Sequence, residues 1–132
     1  GGSVVKIGEV LRDARPGFQI LAGGAGFLLP ALSMGAVGGI LALANIAPLQ
    51  CIEIYSLYRS GDMDKARALQ HKIIPVNAAV TSRWGVPALK AAMDHLGLYG
   101  GPARRPLLPV KDDVRAQLLK LLNENDIKPF GR

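Results

Sequence analysis

No charged residue interrupts the chain between Pro16 and Ile52, and outside that run apolar residues recur at helical spacing among charges. Within it, residues 18–22 and 39–43 are short apolar segments that lack the polar–apolar alternation of a half-exposed strand. Both are therefore predicted as strands buried on two faces, as in a parallel sheet. Gly23-Gly24-Ala25-Gly26 supplies a turn between them where backbone can approach a ligand closely, and residues 27–34 are long enough for a short crossover helix. The run reads as one βαβ unit.

The flanks read as helices. Residues 4–14 place Val4, Ile7, Val10 and Leu11 on one face, with Ser3 as the expected cap and Pro16-Gly17 as the stop. After the central unit, Asn45 is predicted to cap a helix that carries Pro48 in its first turn and runs to about Arg59. Ser60-Gly61 breaks the pattern. Asp62 then caps a helix reaching roughly Thr81, with a kink expected at Pro75. Trp84-Gly85 marks a bend, residues 86–96 form a helix with Pro87 in its first turn, and Gly97 and Gly100-Gly101-Pro102 make an irregular connection. Residues 111–125 close the pattern as an amphipathic helix striped by Val114, Leu118, Leu121 and Leu122. Two parallel strands are not a finished sheet, and both of their outer edges would lie open, so the α/β fold needs further strands.

Charge changes this picture little. A formal net charge of +6 suggests nucleic acid, yet the basic residues are scattered, Arg104-Arg105 is the only adjacent Lys/Arg pair, and aromatic residues are not interleaved with them. A solvated basic surface accounts for the same charge. The uncharged run exceeds the length of a membrane span, but Gly23, Gly24, Gly26, Pro30, Gly35, Gly38, Gly39 and Pro48 would interrupt such a helix repeatedly. Neither nucleic acid nor membrane is expected as a partner. The sequence begins Gly-Gly-Ser without Met, a charged n-region or a signal-cleavage pattern, so its start reads as a cut and secretion is not expected. The single Cys51 suits a reducing compartment, cytoplasm or mitochondrial matrix, and forbids an internal disulfide.

Candidate chemistry is sparse. Gly24 and Gly26 begin like a dinucleotide fingerprint, but Leu29 stands where the third glycine belongs and no suitable acid follows about twenty residues on. His71 and His95 have no second ligand at metal spacing and read as helix-surface histidines. Cys51 has no histidine placed to activate it, and Asp62 and Asp64 sit at a helix start where capping explains them. No cofactor and no metal are expected.

The succession KIGEVL, FQILAGGAGFLL, GAVGGILALANI, YRSGD and LQHKIIPVNAAVTSRWGVPALKAAMDHLGLYGGPARRPLLPV resembles the C-terminal half of the dihydrodipicolinate synthase / N-acetylneuraminate lyase family. AGFLL, GAVGG, ALAN, and NAAVT followed by G-x-P-x-LK look most like its 4-hydroxy-2-oxoglutarate aldolases. The resemblance implies a (β/α)8 TIM barrel with a C-terminal helical extension. Residues 1–60 would be the last part of the barrel, with the seventh and eighth strands, and residues 61–132 the extension. It implies a cofactor-free class I aldolase or lyase that forms an imine between a lysine and a 2-oxo acid and is commonly a homotetramer. The imine-forming lysine would precede Gly1-Gly2, so this chain carries no catalytic residue and alone would be inactive. Carried over are Gly23, a substrate-contacting glycine at the end of the seventh strand, and Ile40, whose eighth-strand backbone faces the 2-oxo acid. Gly24 departs from the serine that often follows the matched glycine. A synthase or sugar-acid dehydratase of the same family, or a non-catalytic half-barrel assembly module, are the other readings.

Overall fold

The computed structural model describes residues 2–130. The first helix, α1 (Val4–Asp13), starts where the Ser3 hydroxyl accepts the Lys6 backbone N–H at 3.2 Å, and it buries Ile7. Strand β1 (Leu21–Ala22) comes next. A 3-10 turn (Ala25–Phe27) leads into α2 (Leu28–Ser33), which buries Leu28, Leu29, Ala31 and Leu32 and packs against both strands. The chain then enters β2 (Gly38–Gly39), parallel to β1 with Leu21 opposite Gly38 and Ala22 opposite Gly39. The expected βαβ unit is present.

Its strands differ from expectation in length and burial. Pairing extends only one residue beyond each end, through Val37 N–H to Ile20 C=O and Ile40 N–H to Ala22 C=O, both at 2.9 Å. Residues 18 and 19 have no ladder partner, and Ala42–Asn45 coil into a 3-10 turn instead of continuing a strand. Nor are both faces covered. Ala22 is fully buried, but its pleat neighbour Leu21 is 50 % exposed and Ile40 is 75 % exposed. Among the described residues no further strand pairs with either outer edge, so a sequence with the apolar character of a two-sided interior strand is left half open.

Helix α3 (Pro48–Ser60) begins with Pro48 in the first turn, as expected, but its N-cap is Ala47. Asn45 is not the cap: its amide donates to Ala42 C=O at 3.0 Å, because the preceding 3-10 turn captures it first. Helix α4 (Met63–Ala78) has Asp62 as its cap, accepting from Lys65 N–H at 3.3 Å. It contains Pro75 and passes at Ala78 into a single π-helical turn, Ala79–Arg83, which delivers Trp84 and α5 (Gly85–His95). The irregular segment after α5 is held by Asp94, whose Oδ1 accepts the Gly100 N–H at 2.8 Å, and by Lys90 Nζ, which donates to Gly100 C=O at 2.6 Å. A Cβ on Gly100 would stand 2.0 Å from the Lys90 carbonyl oxygen, so only glycine fits there. Helix α6 (Asp112–Glu124) buries Leu118 and Leu122 and leaves Val114 and Leu121 at the margin.

One core cluster runs from Ile7 through Leu32, Leu43 and Ile54 to Ile73, Val76, Leu96 and Leu118. Cys51 belongs to it, and burial pushes its thiol up to about 11 from an ordinary value of 9.0. Below pH 9 the thiol is protonated in folded and unfolded chains alike. Between pH 9 and 11 the unfolded chain releases that proton while the folded chain retains it, so stability should fall by about 2–3 kcal/mol relative to Cys51→Ala over this window. Urea unfolding of the two proteins from neutral pH to pH 11 measures the difference.

Candidate functional site

The register of the parallel pair decides what meets at its carboxyl end. Leu21 opposes Gly38 and Ala22 opposes Gly39, so the next residues along, Gly23 and Ile40, lie side by side one position past the ladder. The Ile40 N–H is already committed to Ala22 C=O at 2.9 Å. Gly23 is exposed, and a Cβ built on it would meet nothing within 4 Å. The two site residues expected from sequence are thus brought together, with open space beside Gly23.

The turn after Gly23 is held from outside the βαβ unit. Gln70 of α4 is 4 % exposed, the only buried polar side chain among the described residues. Its Oε1 accepts the Leu29 N–H at 2.8 Å and its Nε2 donates to Ala25 C=O at 2.9 Å. Ala25 and Leu29 are four apart, the pair that a continuous α-helix would join directly. The Gln70 amide is inserted between them. This is why Ala25–Phe27 is a 3-10 turn and α2 starts only at Leu28. A carbonyl and an N–H offer a Gln amide a single satisfying orientation, so the side chain fixes the turn's geometry as well as its polar groups. Asn77, two turns further along α4, places its Nδ2 2.9 Å from where a Gly26 Cβ would be, and its buried Oδ1 has no partner. Sequence reading missed both residues. Their only signal is polarity at a core-facing position of α4, and a helix pattern does not say which loop such a residue will meet.

Beside the pair, Leu21, Val37, Leu41, Cys51, Ile52 and Tyr55 line an apolar cleft of about 400 Å³. His71 and His95 are exposed on α4 and α5, Asp62 caps α4, and Asp64 pairs with Arg67 across one turn. Lys6, Lys65, Lys72, Lys90 and Lys120 lie on helices, and Lys111 and Lys128 beside the ends of α6; none is at the carboxyl end of a strand. Among the described residues no three His, Cys, Asp or Glu side chains group as a metal site, and no helix is long and apolar enough to cross a membrane.

A parallel βαβ unit whose open glycine end is braced by later helices places this chain among the β/α folds, a class in which sites gather at the carboxyl ends of the strands. Residues 1–125 match the dihydrodipicolinate synthetase family, and the chain belongs to it. It is 29 % identical over 130 residues to the 4-hydroxy-tetrahydrodipicolinate synthase of Methanopyrus kandleri, covering 98 % of this chain and 43 % of that protein. It is 39 % identical over 119 residues to an uncharacterized DapA-like lyase of Halobacterium salinarum, covering 90 % and 38 %. Among solved structures, a putative dihydrodipicolinate synthase from Thermus thermophilus superposes with a TM-score of 0.84 at 33 % identity, over 96 % of this chain and 45 % of that one. The structural neighbours are TIM barrels, and the chain spans less than half the length of each of these three proteins.

Replacing Gln70 by Leu removes both hydrogen bonds, leaving the buried Leu29 N–H without its partner and the Ala25 carbonyl with the Leu28 N–H alone. The variant should lose roughly 2–4 kcal/mol of stability, and the Leu29 amide should exchange with solvent faster than in the parent. Urea unfolding and amide hydrogen exchange read the two effects.

Proposed function

We propose that this chain is the carboxyl-terminal part of a (β/α)8 Schiff-base lyase that cleaves a 2-oxo acid, with 4-hydroxy-2-oxoglutarate as the leading substrate, to pyruvate and an aldehyde. The family match across residues 1–125 is the observation that carries the reading. The juxtaposition of Gly23 and Ile40 at the carboxyl end of the parallel pair supports it, since β/α barrels build their sites there. In this reading β1 and β2 are the seventh and eighth barrel strands, α1 is the helix after the sixth, and the helices from α4 onward are the extension. Self-association of the whole protein, as a tetramer, belongs to the same proposal.

The chemistry requires an amine ahead of residue 1. That lysine attacks the ketone carbon, a C–N bond forms and water leaves; a base then takes the C4 hydroxyl proton, C4 becomes the aldehyde carbon as the C3–C4 bond breaks, and the protonated imine accepts the released electron pair. The resulting enamine is protonated at C3, and hydrolysis of the imine frees pyruvate and restores the lysine. Within this chain, Gly23 leaves room for the ligand beside its backbone, and Ile40 contributes the backbone that flanks it. A second reading, a synthase running carbon–carbon bond formation from pyruvate, is favoured by the name of the Methanopyrus kandleri relative. The relatives are archaeal and bacterial, and they give the mitochondrial location no support.

Three measurements test the proposal. Incubation with pyruvate and borohydride should give a reduced pyruvate adduct on the whole enzyme and none on this chain alone; an adduct on this chain would contradict the placement of the lysine. In the whole enzyme, Gly23→Ala should leave stability unchanged within about 0.5 kcal/mol, because the added methyl meets no protein atom. It should nevertheless lower kcat/KM for 4-hydroxy-2-oxoglutarate roughly ten- to a hundredfold. Pyruvate release from that acid, against pyruvate consumption with an aldehyde, separates lyase from synthase.

A further inference from the structure

Among the helices that follow the βαβ unit, α5, the connection after it and the first turn of α6 form a pocket of about 100 Å³, space for one small ion. Its charged lining residues are Lys90, Asp94 and Arg115, and Pro87, Pro102 and Pro109 in its walls carry no backbone N–H. Lys90 and Asp94 lie one turn apart on α5, and both hold the connection. Lys90 Nζ donates to Gly100 C=O at 2.6 Å, while Asp94 Oδ1 accepts from Gly100 N–H at 2.8 Å and from Gly101 N–H at 3.3 Å. That leaves capacity unused. An ammonium has three N–H groups and a carboxylate two oxygens, yet among the described residues Lys90 Nζ meets one acceptor and Asp94 Oδ2 meets no donor. Neither Lys90 nor the exposed Arg115 forms an ion pair among the described residues. The pocket thus presents cations from two helices beside one carboxylate oxygen that lacks a donor.

We propose that this pocket binds a free phosphate ion between Lys90 and Arg115, and that Asp94 selects the ion by the proton it carries. The Arg115 guanidinium offers N–H groups side by side to two phosphate oxygens, and the Lys90 ammonium, already anchored at Gly100, supplies a point charge to a third. An anion that can only accept hydrogen bonds is repelled by Asp94 Oδ2. Free phosphate is not, because at neutral pH both of its ionic forms keep a P–O–H group, which donates to that oxygen and leaves the others to the two cations. Sulfate has no such proton, and a phosphate monoester, whose second ionisation lies at about pH 6, has mostly lost it. Attraction from two cations and rejection by one carboxylate therefore act together as a filter. The bound ion would join α5 to α6. Since α5 also packs against Ala42–Asn45, the turn that follows β2, phosphate would stiffen the support behind the carboxyl end of that strand. The site is made wholly by this chain and stands independently of the lyase reading.

Isothermal titration calorimetry of this chain with inorganic phosphate, at neutral pH and with ionic strength held constant by sodium chloride, should show a single site. Sulfate and glycerol 3-phosphate should bind roughly tenfold more weakly or less, and only phosphate should raise the melting temperature appreciably. Arg115→Gln removes an exposed charge without disturbing the core and should weaken phosphate binding roughly tenfold or more. Asp94→Asn keeps an oxygen for the Gly100 and Gly101 N–H groups and turns an amide N–H toward the ion, so sulfate should gain affinity, phosphate should lose it, and the preference should invert. A purely structural role for Asp94 would not move that ratio. Absence of both binding heat and a melting shift with phosphate would overturn the proposal, as would equal binding of phosphate and sulfate to the wild-type chain or phosphate affinity unchanged by Arg115→Gln. Those three outcomes do not depend on the Asp94 variant folding.

Discussion

A single side-chain amide, that of Gln70, holds the candidate site in place. It sits where a helical hydrogen bond between Ala25 and Leu29 would otherwise be, accepting from Leu29 at 2.8 Å and donating to Ala25 at 2.9 Å. A buried amide meeting both of its needs is stabilising, whereas one half-satisfied is costly, so the turn and α4 are locked to each other. The turn in turn fixes where β1 ends and where α2 starts. The helices after the βαβ unit are therefore part of what shapes its carboxyl end. Tyr58 makes a weaker tie of the same kind, donating from α3 to the Leu32 carbonyl at 2.9 Å near the other end of α2.

The features legible in the sequence are the local ones. Ser3 and Asp62 cap the helices they were expected to cap, Pro48 stands in a first turn, and Leu118 and Leu122 are buried on α6, because each depends on residues within a turn or two. Asn45 failed as a cap for an equally local reason that sequence alone does not rank: two turns compete for one amide, and the earlier one wins. The site residues Gly23 and Ile40 came from resemblance to a family, and the register of the strands puts them side by side. Gln70 and Asn77 were not legible. Gln70 meets residues more than forty positions away.

Strand length and burial departed from expectation for a reason that bears on function. Apolar runs such as residues 18–22 and 39–43 carry the composition of strands enclosed on both faces, yet Leu21 and Ile40 are half or more exposed. Composition reports the environment a segment is suited to, and here that environment is not supplied by the described residues. The chain spans 43 % of the Methanopyrus kandleri relative and 38 % of the Halobacterium salinarum one, and the remaining length of each has no counterpart in it. Further parallel strands on either side of β1 and β2 would cover the exposed face, pair the open edges and bring the strand ends that a barrel site requires.

Closure of the sheet by such strands is the central claim, and amide hydrogen exchange tests it most directly. The rates to compare are those of residues 18–23 and 37–43 in this chain alone and in the enzyme proposed to carry it. Closure predicts that amides beyond the present ladder, at residues 18–20 and 41–43, become strongly protected in the whole enzyme, with Leu21 and Ile40 no longer open to solvent. Equal exchange in the two proteins would mean that the pair is already complete as a two-stranded element, and the barrel reading, with the lyase site built on it, would be contradicted.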